Sequence, residues 1–115
     1  MQDVLTHLNR IRGVGGSLLL SQDGLPMASA LRSDTDESQL AAAVAEALGA
    51  AQRLVKQLNL GIPSTLTANH AQGTLLILGA GPAFVALLVE PTANQALLQI
   101  EAKAVVERIA QRISL

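Results

Sequence analysis

The chain carries few side chains that could perform chemistry. Its two histidines, His7 and His70, are far apart in the sequence, and a metal site would need carboxylates to join them. No serine stands in a recognisable context of histidine and aspartate for a nucleophilic triad. The absence of cysteine excludes a thiol nucleophile, a thiolate zinc site and a disulfide framework. We therefore expect no catalytic residue, no metal site and no bound cofactor, so that the protein is not itself an enzyme.

Two segments have the composition of binding loops. Residues 13–17 are glycine-rich, but the dinucleotide pattern GxGxxG fails at Leu18, and no GxxxxGK[ST] phosphate loop occurs anywhere in the chain. A flexible turn between a helix and a strand explains these glycines better. The acidic residues Asp34, Asp36 and Glu37 could in principle hold a cation, but capping of the following helix explains them better. Neither segment predicts a ligand.

Composition narrows the classes of partner. A chain of 115 residues, half of them hydrophobic and 15% charged, fits one folded domain over residues 1–115. A net charge of -1 and a single aromatic residue, Phe84, argue against a nucleic-acid surface. The apolar stretch over residues 75–89 is interrupted by glycine and proline and is too short to span a membrane. The N-terminus has no signal-peptide pattern and cysteine is absent, so we expect a cytoplasmic protein.

The apolar periodicity predicts three helices and five strands. In chain order these are a short helix over 4–11, strands over 17–21 and 25–31, a long helix over 37–59, strands over 64–70, 74–78 and 83–89, and a final helix to the C-terminus. Asp23-Gly24 predicts a two-residue type I′ hairpin. Capping boxes are predicted at Asp36 with Gln39 and at Thr92 with Gln95. Pro63 is one of the signals that end the long helix.

Tight turns between consecutive strands predict a largely antiparallel sheet. The strand over 17–21 contains three consecutive leucines, and the strands over 74–78 and 83–89 are continuously apolar. We therefore expect all three inside the sheet, with helices on both of its faces. Pro26 and the polar segment 64–70 predict the two edge strands. The fold class is therefore an α/β (α+β) sandwich with a five-stranded antiparallel sheet and the order helix-strand-strand-helix-strand-strand-strand-helix.

The long helix has more apolar surface than one sheet can cover. At roughly 100° per residue its residues fall into three groups. The group that can face the sheet is Leu40, Val44, Leu48 and Val55, the polar group is Glu46, Gly49, Arg53 and Lys56, and the remaining stripe is Ala43, Ala47, Ala50 and Leu54. Small side chains in this stripe would let a second helix approach to about 8 Å. Alternatively, the alanines are simply good helix formers that water tolerates.

The polar edge strand also indicates a second copy of the chain as the partner. Its residues Thr65, Leu66 and Thr67 would expose unpaired backbone groups, with which a second copy of the chain could pair. Pairing of the edges and packing of the helices could together build a symmetric homodimer. The alternative is a short edge strand covered by water, as many monomers have.

Several strings resemble the roadblock / dynein light chain family, and in particular its short bacterial and archaeal members of the gliding-motility type. They are GVGGSLLLS at 13–21, DGLPMA at 23–28, the alanine-rich second helix after an acidic loop, the turn at Gly73, the two apolar strands and the terminal helix. The resemblance implies a five-stranded antiparallel sheet with one helix on one face and two on the other. It also implies a homodimer in which the third strands pair and the second helices lie side by side.

The resemblance further implies that the second helix binds a small Ras-like GTPase. Some bacterial members accelerate GTP hydrolysis in that partner, and others act as scaffolds. On this chain the corresponding surface would be Glu46, Gly49, Arg53 and Lys56, the polar group of the long helix. Arg53 is exposed there, but nothing in the sequence identifies it as an inserted arginine finger. A purely structural dimerisation module and, less favoured, a small-ligand sensor remain the alternatives.

Overall fold

The computed structural model describes residues 1–61 and 64–113. Its elements are α1 (Gln2–Asn9), β1 (Val14–Ser21), β2 (Pro26–Ala30), α2 (Glu37–Gln57), β3 (Thr65–His70), β4 (Gly73–Ala80), β5 (Ala83–Val89) and α3 (Gln95–Ile113). The strands form one antiparallel sheet in the order β2-β1-β5-β4-β3. The predicted fold class, the three interior strands and the two edge strands are confirmed. Pro63 and the last two residues of the predicted final helix lie outside the described residues.

The sheet separates two apolar layers. Successive side chains of a strand point to opposite faces, so neighbouring residues of β1 enter different layers. Leu19 packs with α1 and α3, whereas Leu18 and Leu20 pack under α2. The layer under α1 and α3 includes Leu5, Leu8, Val85, Leu87, Leu98, Ala102 and Ile109, and the layer under α2 includes Ala41, Val44, Leu48, Ile77, Phe84 and Ala86. This explains why the interior strands have no polar face.

A polar contact fixes α1 to the sheet. Ser17 is completely buried, and its hydroxyl Oγ lies 2.8 Å from Asn9 Oδ1 and 3.2 Å from the Leu5 carbonyl oxygen. The Asn9 amide Nδ2 in turn donates to the Ala30 carbonyl oxygen at 2.8 Å. A buried hydroxyl without a partner would be costly, and here the end of α1 supplies the partner.

The β1–β2 turn has three residues, so the predicted two-residue type I′ hairpin is wrong. The Ser21 amide donates to the Leu25 carbonyl oxygen at 2.9 Å, and the Gly24 amide donates to the Ser21 carbonyl oxygen at 3.0 Å. Gly24 adopts a φ of 88°, but Asp23 does not adopt a positive φ. This is a type I turn followed by a left-handed glycine. The Ser21 hydroxyl and the Asp23 backbone amide donate to the Asp23 carboxylate and hold its pKa below the usual value.

Most of the glycine-rich segment belongs to a strand, and the predicted turn is limited to its first residue, Gly13, which has a φ of 99°. β1 begins at Val14, so that Gly15 and Gly16 lie within the sheet, with a bulge in the pairing to β5 between Val14 and Gly16. A bulge accommodates one extra residue on one strand of an antiparallel pair. The local composition indicated a turn because glycine is depleted in strands, and the pairing to β5 overrides that preference.

The helix starts show one confirmed cap and one correction. The Asp36 Oδ1 atom accepts a hydrogen bond from the Gln39 amide at 3.0 Å, which confirms the Asp36 cap of the predicted capping box at the start of α2. The predicted capping box of Thr92 with Gln95 is wrong. Asn94 Oδ1 accepts instead from the Leu97 amide at 3.1 Å, and the side chain of Gln95 donates to Thr74 Oγ1 at 2.8 Å.

A hydrogen-bonded turn closes the C-terminal end of α2. The Leu60 amide donates to the Val55 carbonyl oxygen at 2.8 Å, and the Asn59 amide donates to the Lys56 carbonyl oxygen at 3.3 Å. Asn59 has a φ of 55°, which places it in the left-handed region. These features define a Schellman motif in which asparagine occupies the position that glycine usually takes.

Gly24→Ala tests the contact between the β1–β2 turn and α2. A Cβ atom at Gly24 would lie 2.5 Å from the Ala45 Cβ, and its φ strains any side chain. We expect a loss of about 2–4 kcal/mol in the free energy of unfolding, from strain and overpacking together. Gly61→Ala is the matched control, because Gly61 has a φ of 92° and nothing within 4 Å of the new atom. Urea unfolding at equal protein concentration measures both, and equal losses would contradict the contact.

Candidate interaction surface

α2 rests on the sheet through few residues. The buried residues of α2, which lies wholly within the described part of the chain, are Ala41, Val44 and Leu48, and Val55 is half-buried. After Leu48 the helix continues for more than two turns without a buried side chain. Most of the surface of its C-terminal half therefore remains uncovered within one protomer.

The two predicted groups of α2 lie on opposite flanks of the helix. We call Glu46, Gly49, Arg53 and Lys56 the polar wedge, and Ala43, Ala47, Ala50 and Leu54 the alanine stripe. Ala45 lies beside Gly24 of the β1–β2 turn, so its flank of the helix faces β2. At roughly 100° per residue the polar wedge follows the flank of Ala45, and the alanine stripe lies on the other flank, towards β3.

The charges of the polar wedge form no salt bridge within the described part of the protomer. The side chains of Glu46, Arg53 and Lys56 are exposed, and among residues 1–61 and 64–113 none of the three forms a salt bridge. Gly49 is half-buried, and the Arg53 Nη1 atom lies 3.5 Å from the position that a Gly49 Cβ would occupy. The arginine thus lies along the helix surface over the glycine.

The alanine stripe is open to solvent and continues into exposed leucines. Ala43 and Ala50 are exposed, Ala47 is half-buried, and Leu54 is 54% exposed. At the end of the helix Leu58 is 58% exposed and Leu60 is 67% exposed. Sequence analysis missed these two leucines as surface residues, because apolar positions at a helix end do not reveal whether the sheet reaches them.

The outer edge of β3 offers backbone groups at alternate residues. The Ser64 carbonyl oxygen accepts from the Gly79 amide at 2.9 Å, so Ser64 faces β4. In an antiparallel ladder the orientation alternates, and Thr65, Thr67 and Asn69 therefore direct their backbone groups away from β4. Leu66, named with them in the prediction, points its side chain into the layer under α2. Sequence analysis named the strand but could not assign this alternation without the pairing to β4.

A hollow lies on the α2 side of the sheet next to the outer end of β3. Its volume is 620 Å³, and it lies between the loop before α2 and the β3–β4 turn. Residues that line it include Gly15, Arg32, Thr35, Ala68, His70, Leu75 and Leu88. It assembles residues from four strands and three connecting segments, so that no local sequence signal could have revealed it.

The two histidines lie apart from any metal-binding cluster in the described residues. No group of three or more histidine, aspartate or glutamate side chains is placed to hold a metal ion in residues 1–61 and 64–113. His7 lies on α1, and His70 at the end of β3 accepts a hydrogen bond from the Gln72 amide at its Nδ1 atom at 3.1 Å. In the same part of the chain no helix is long and apolar enough to span a membrane.

A five-stranded antiparallel sheet in the order β2-β1-β5-β4-β3, with α2 on one face and α1 and α3 on the other, is the architecture of Roadblock proteins. Residues 1–90 match the model of the Roadblock/LC7 domain. The chain belongs to this family. α3 lies beyond the matched residues and completes the fold.

Sequence relatives and solved structures agree with this assignment. The chain is 33% identical to the uncharacterized protein MJ0714 of Methanocaldococcus jannaschii over 107 residues, which are 92% of this chain and 90% of that protein. The Roadblock/LC7 domain from Streptomyces avermitilis has a TM-score of 0.91 at 18% identity and covers 100% of this chain and 98% of its own. MglB from Myxococcus xanthus has a TM-score of 0.92 at 16% identity, over 98% and 94%. The gliding protein MglB from Thermus thermophilus has a TM-score of 0.82 at 24% identity, over 96% and 87%. At these identities the similarity to the solved structures concerns the fold.

Proline substitutions in β3 test which backbone groups are free. Thr67→Pro removes an amide that faces outward, and Leu66→Pro removes an amide that faces β4. We expect the proline at Leu66 to cost about 3 kcal/mol or more and the proline at Thr67 to cost clearly less. Denaturant unfolding at low protein concentration, where association contributes least, provides the measurement. A greater loss of unfolding free energy for Thr67→Pro would show that the Thr67 amide faces β4 and the Leu66 amide faces outward.

Proposed function

We propose that this protein is a homodimer that regulates or scaffolds a small Ras-like GTPase and has no active site of its own. Membership of the Roadblock family supports the proposal, because the family resemblance implies both the dimer and this class of partner. The observation that carries the proposal is the division of the exposed α2 surface into two flanks. The alanine stripe faces the β3 side, and the polar wedge faces the β2 side.

The dimer would form at the β3 edge. Two copies of an edge strand pair antiparallel about a two-fold axis perpendicular to the sheet, which places both α2 helices on the same face. The outward backbone groups of Thr65 and Thr67 would provide the hydrogen bonds. The small side chains of the alanine stripe would let the two helices pack closely above the strands.

The polar wedge would then remain free for the GTPase. Glu46, Arg53 and Lys56 lie on the flank that faces away from the β3 edge, so that dimerisation leaves them accessible. Unpaired charges on an accessible surface direct association with a complementary partner. Any stimulation of hydrolysis would act through the switch loops of the GTPase, and Arg53 is the exposed arginine of the polar wedge. The proposal includes a cytoplasmic location, which a cysteine-free chain fits.

Two arginine substitutions on α2 test whether the alanine stripe, and not the polar wedge, forms the dimer contact. Ala50 lies on the alanine stripe and Ala42 lies on the side of the polar wedge, and both are exposed alanines in mid-helix. We expect Ala50→Arg to weaken dimerisation at least about tenfold, because a long charged side chain holds the helices apart. Ala42→Arg should leave the dimer intact. Light scattering should give about twice 11.9 kDa for wild type at micromolar concentration.

A clean monomer for the wild-type protein at that concentration would contradict the dimer. Equal behaviour of Ala50→Arg and wild type would show that the alanine stripe is merely solvated.

Binding to a Ras-like GTPase encoded beside this protein tests the partner. The GTPase is loaded with GDP or with a non-hydrolysable GTP analogue, and calorimetry measures its affinity for the dimer. We expect Arg53→Glu and Lys56→Glu each to weaken binding about tenfold, because charge reversal at an interface disfavours the complex. Lys103→Glu is the matched control, since Lys103 is exposed on α3 on the other face of the sheet.

GTP hydrolysis with and without this protein distinguishes a regulator from a scaffold. Equal losses of affinity for the GTPase in Arg53→Glu, Lys56→Glu and Lys103→Glu would contradict docking through the polar wedge. A stable dimer that binds the GTPase in neither state would favour a structural module.

A further inference from the structure

We propose that, in the dimer, Leu54 and Leu58 of each protomer enter the hollow of the other protomer and pack over Ala68 and Leu75. The inference rests on the proposed pairing of β3. It goes beyond that pairing because it assigns an occupant to the hollow and a partner to the exposed leucines at the end of α2.

The leucines lie near the start of β3 within their own protomer. The Schellman motif caps α2 at Leu58, with the Leu60 amide donating to the Val55 carbonyl oxygen. Leu60 is four residues before Ser64, and that length of chain spans at most about 15 Å. Ser64 is bound to Gly79 where β3 begins. The C-terminal end of α2 is therefore tethered close to the first residues of β3.

The hollow lies at the opposite end of β3. Its apolar floor is a single row of cross-strand neighbours that runs inward from the free edge, with Ala68 paired to Leu75 and Leu75 paired to Leu88. All three side chains point to the α2 side of the sheet. Ala68 is exposed, and Leu75 and Leu88 are half-buried, so α2 of the same protomer leaves this row partly uncovered.

Antiparallel self-pairing brings the two features together. It places the start of one β3 beside the end of the other, about 4.8 Å across the new strand pair. The two-fold axis keeps both α2 helices on the same side, so the exposed leucines of one protomer arrive above the free row of the other. Leu54 and Leu58 lie on the flank of α2 that faces β3. The small side chain of Ala68 leaves a gap at the edge through which a leucine can reach Leu75.

The chemistry of the two surfaces is complementary. The end of α2 exposes more than half of the surface of Leu54 and of Leu58, and the hollow exposes an apolar floor at the edge where the second copy would join. Dimerisation would thus bury the leucines of each protomer against the hollow of the other, and the two-fold axis would form this apolar contact twice. A small-molecule ligand in the hollow is the competing occupant, and it would leave the leucines exposed.

Disulfide trapping tests the proposed contact, because the chain contains no cysteine of its own. The double variant Leu58→Cys/Ala68→Cys is oxidised as the full chain, and mass spectrometry of peptides identifies the linked positions. We expect a covalent dimer of about twice 11.9 kDa in which one introduced thiol is joined to the other across the protomers. Leu58→Cys/Met27→Cys is the matched control, because Met27 is 52% exposed on β2 at the far edge of the sheet. It should give no link between those two positions.

A charge exchange provides the second measurement. Leu58→Glu and Ala68→Arg should each weaken dimerisation at least tenfold in analytical ultracentrifugation, and the double variant should recover most of that loss because the new charges would meet. A dimer that shows neither the trapped link nor the recovery would overturn the inference while the proposed dimer stands. A monomer in every sample would overturn both, and loss of GTPase binding alone would affect only the proposed function.

Discussion

The contact between α2 and the sheet is the constraint on which the surface of this protein depends. Ala41, Val44 and Leu48 fix the helix to one face, and its C-terminal half has no comparable anchor within the protomer. The opposite face is closed by two helices and by the buried contact of Ser17 with α1. The protomer therefore has one complete apolar layer and one incomplete layer, and the incomplete one lies beside the unpaired edge of β3.

The fold could be predicted from the sequence because its signals are local and agree with each other. The apolar runs of β4 and β5, the glycine turns and Asp36 at the start of α2 all indicate the same architecture. The errors occur where a distant partner decides the local structure. Gly15 and Gly16 are drawn into β1 by β5, and Asn94 caps α3 while Gln95 is bound to Thr74 on β4.

The candidate surface was predictable to a smaller extent. Helical periodicity alone separates the polar wedge from the alanine stripe, because it needs only the rotation of about 100° per residue. It does not give the direction in which each flank points, which depends on the contact of Ala45 with Gly24. The hollow requires the register of β3, β4 and β5, since Ala68, Leu75 and Leu88 are far apart in the sequence. Tertiary pairing of that kind has no local sequence signature.

The separation of the two apolar layers by the sheet has an evolutionary consequence. Leu18 and Leu19 are adjacent in β1 but serve different layers, so substitutions on the α2 side leave the packing of α1 and α3 unchanged. A descendant of this chain can therefore alter the outward residues of α2 and acquire new specificity while the other half of the molecule maintains its folding stability. The architecture allows recognition to diversify on one side of a constant scaffold.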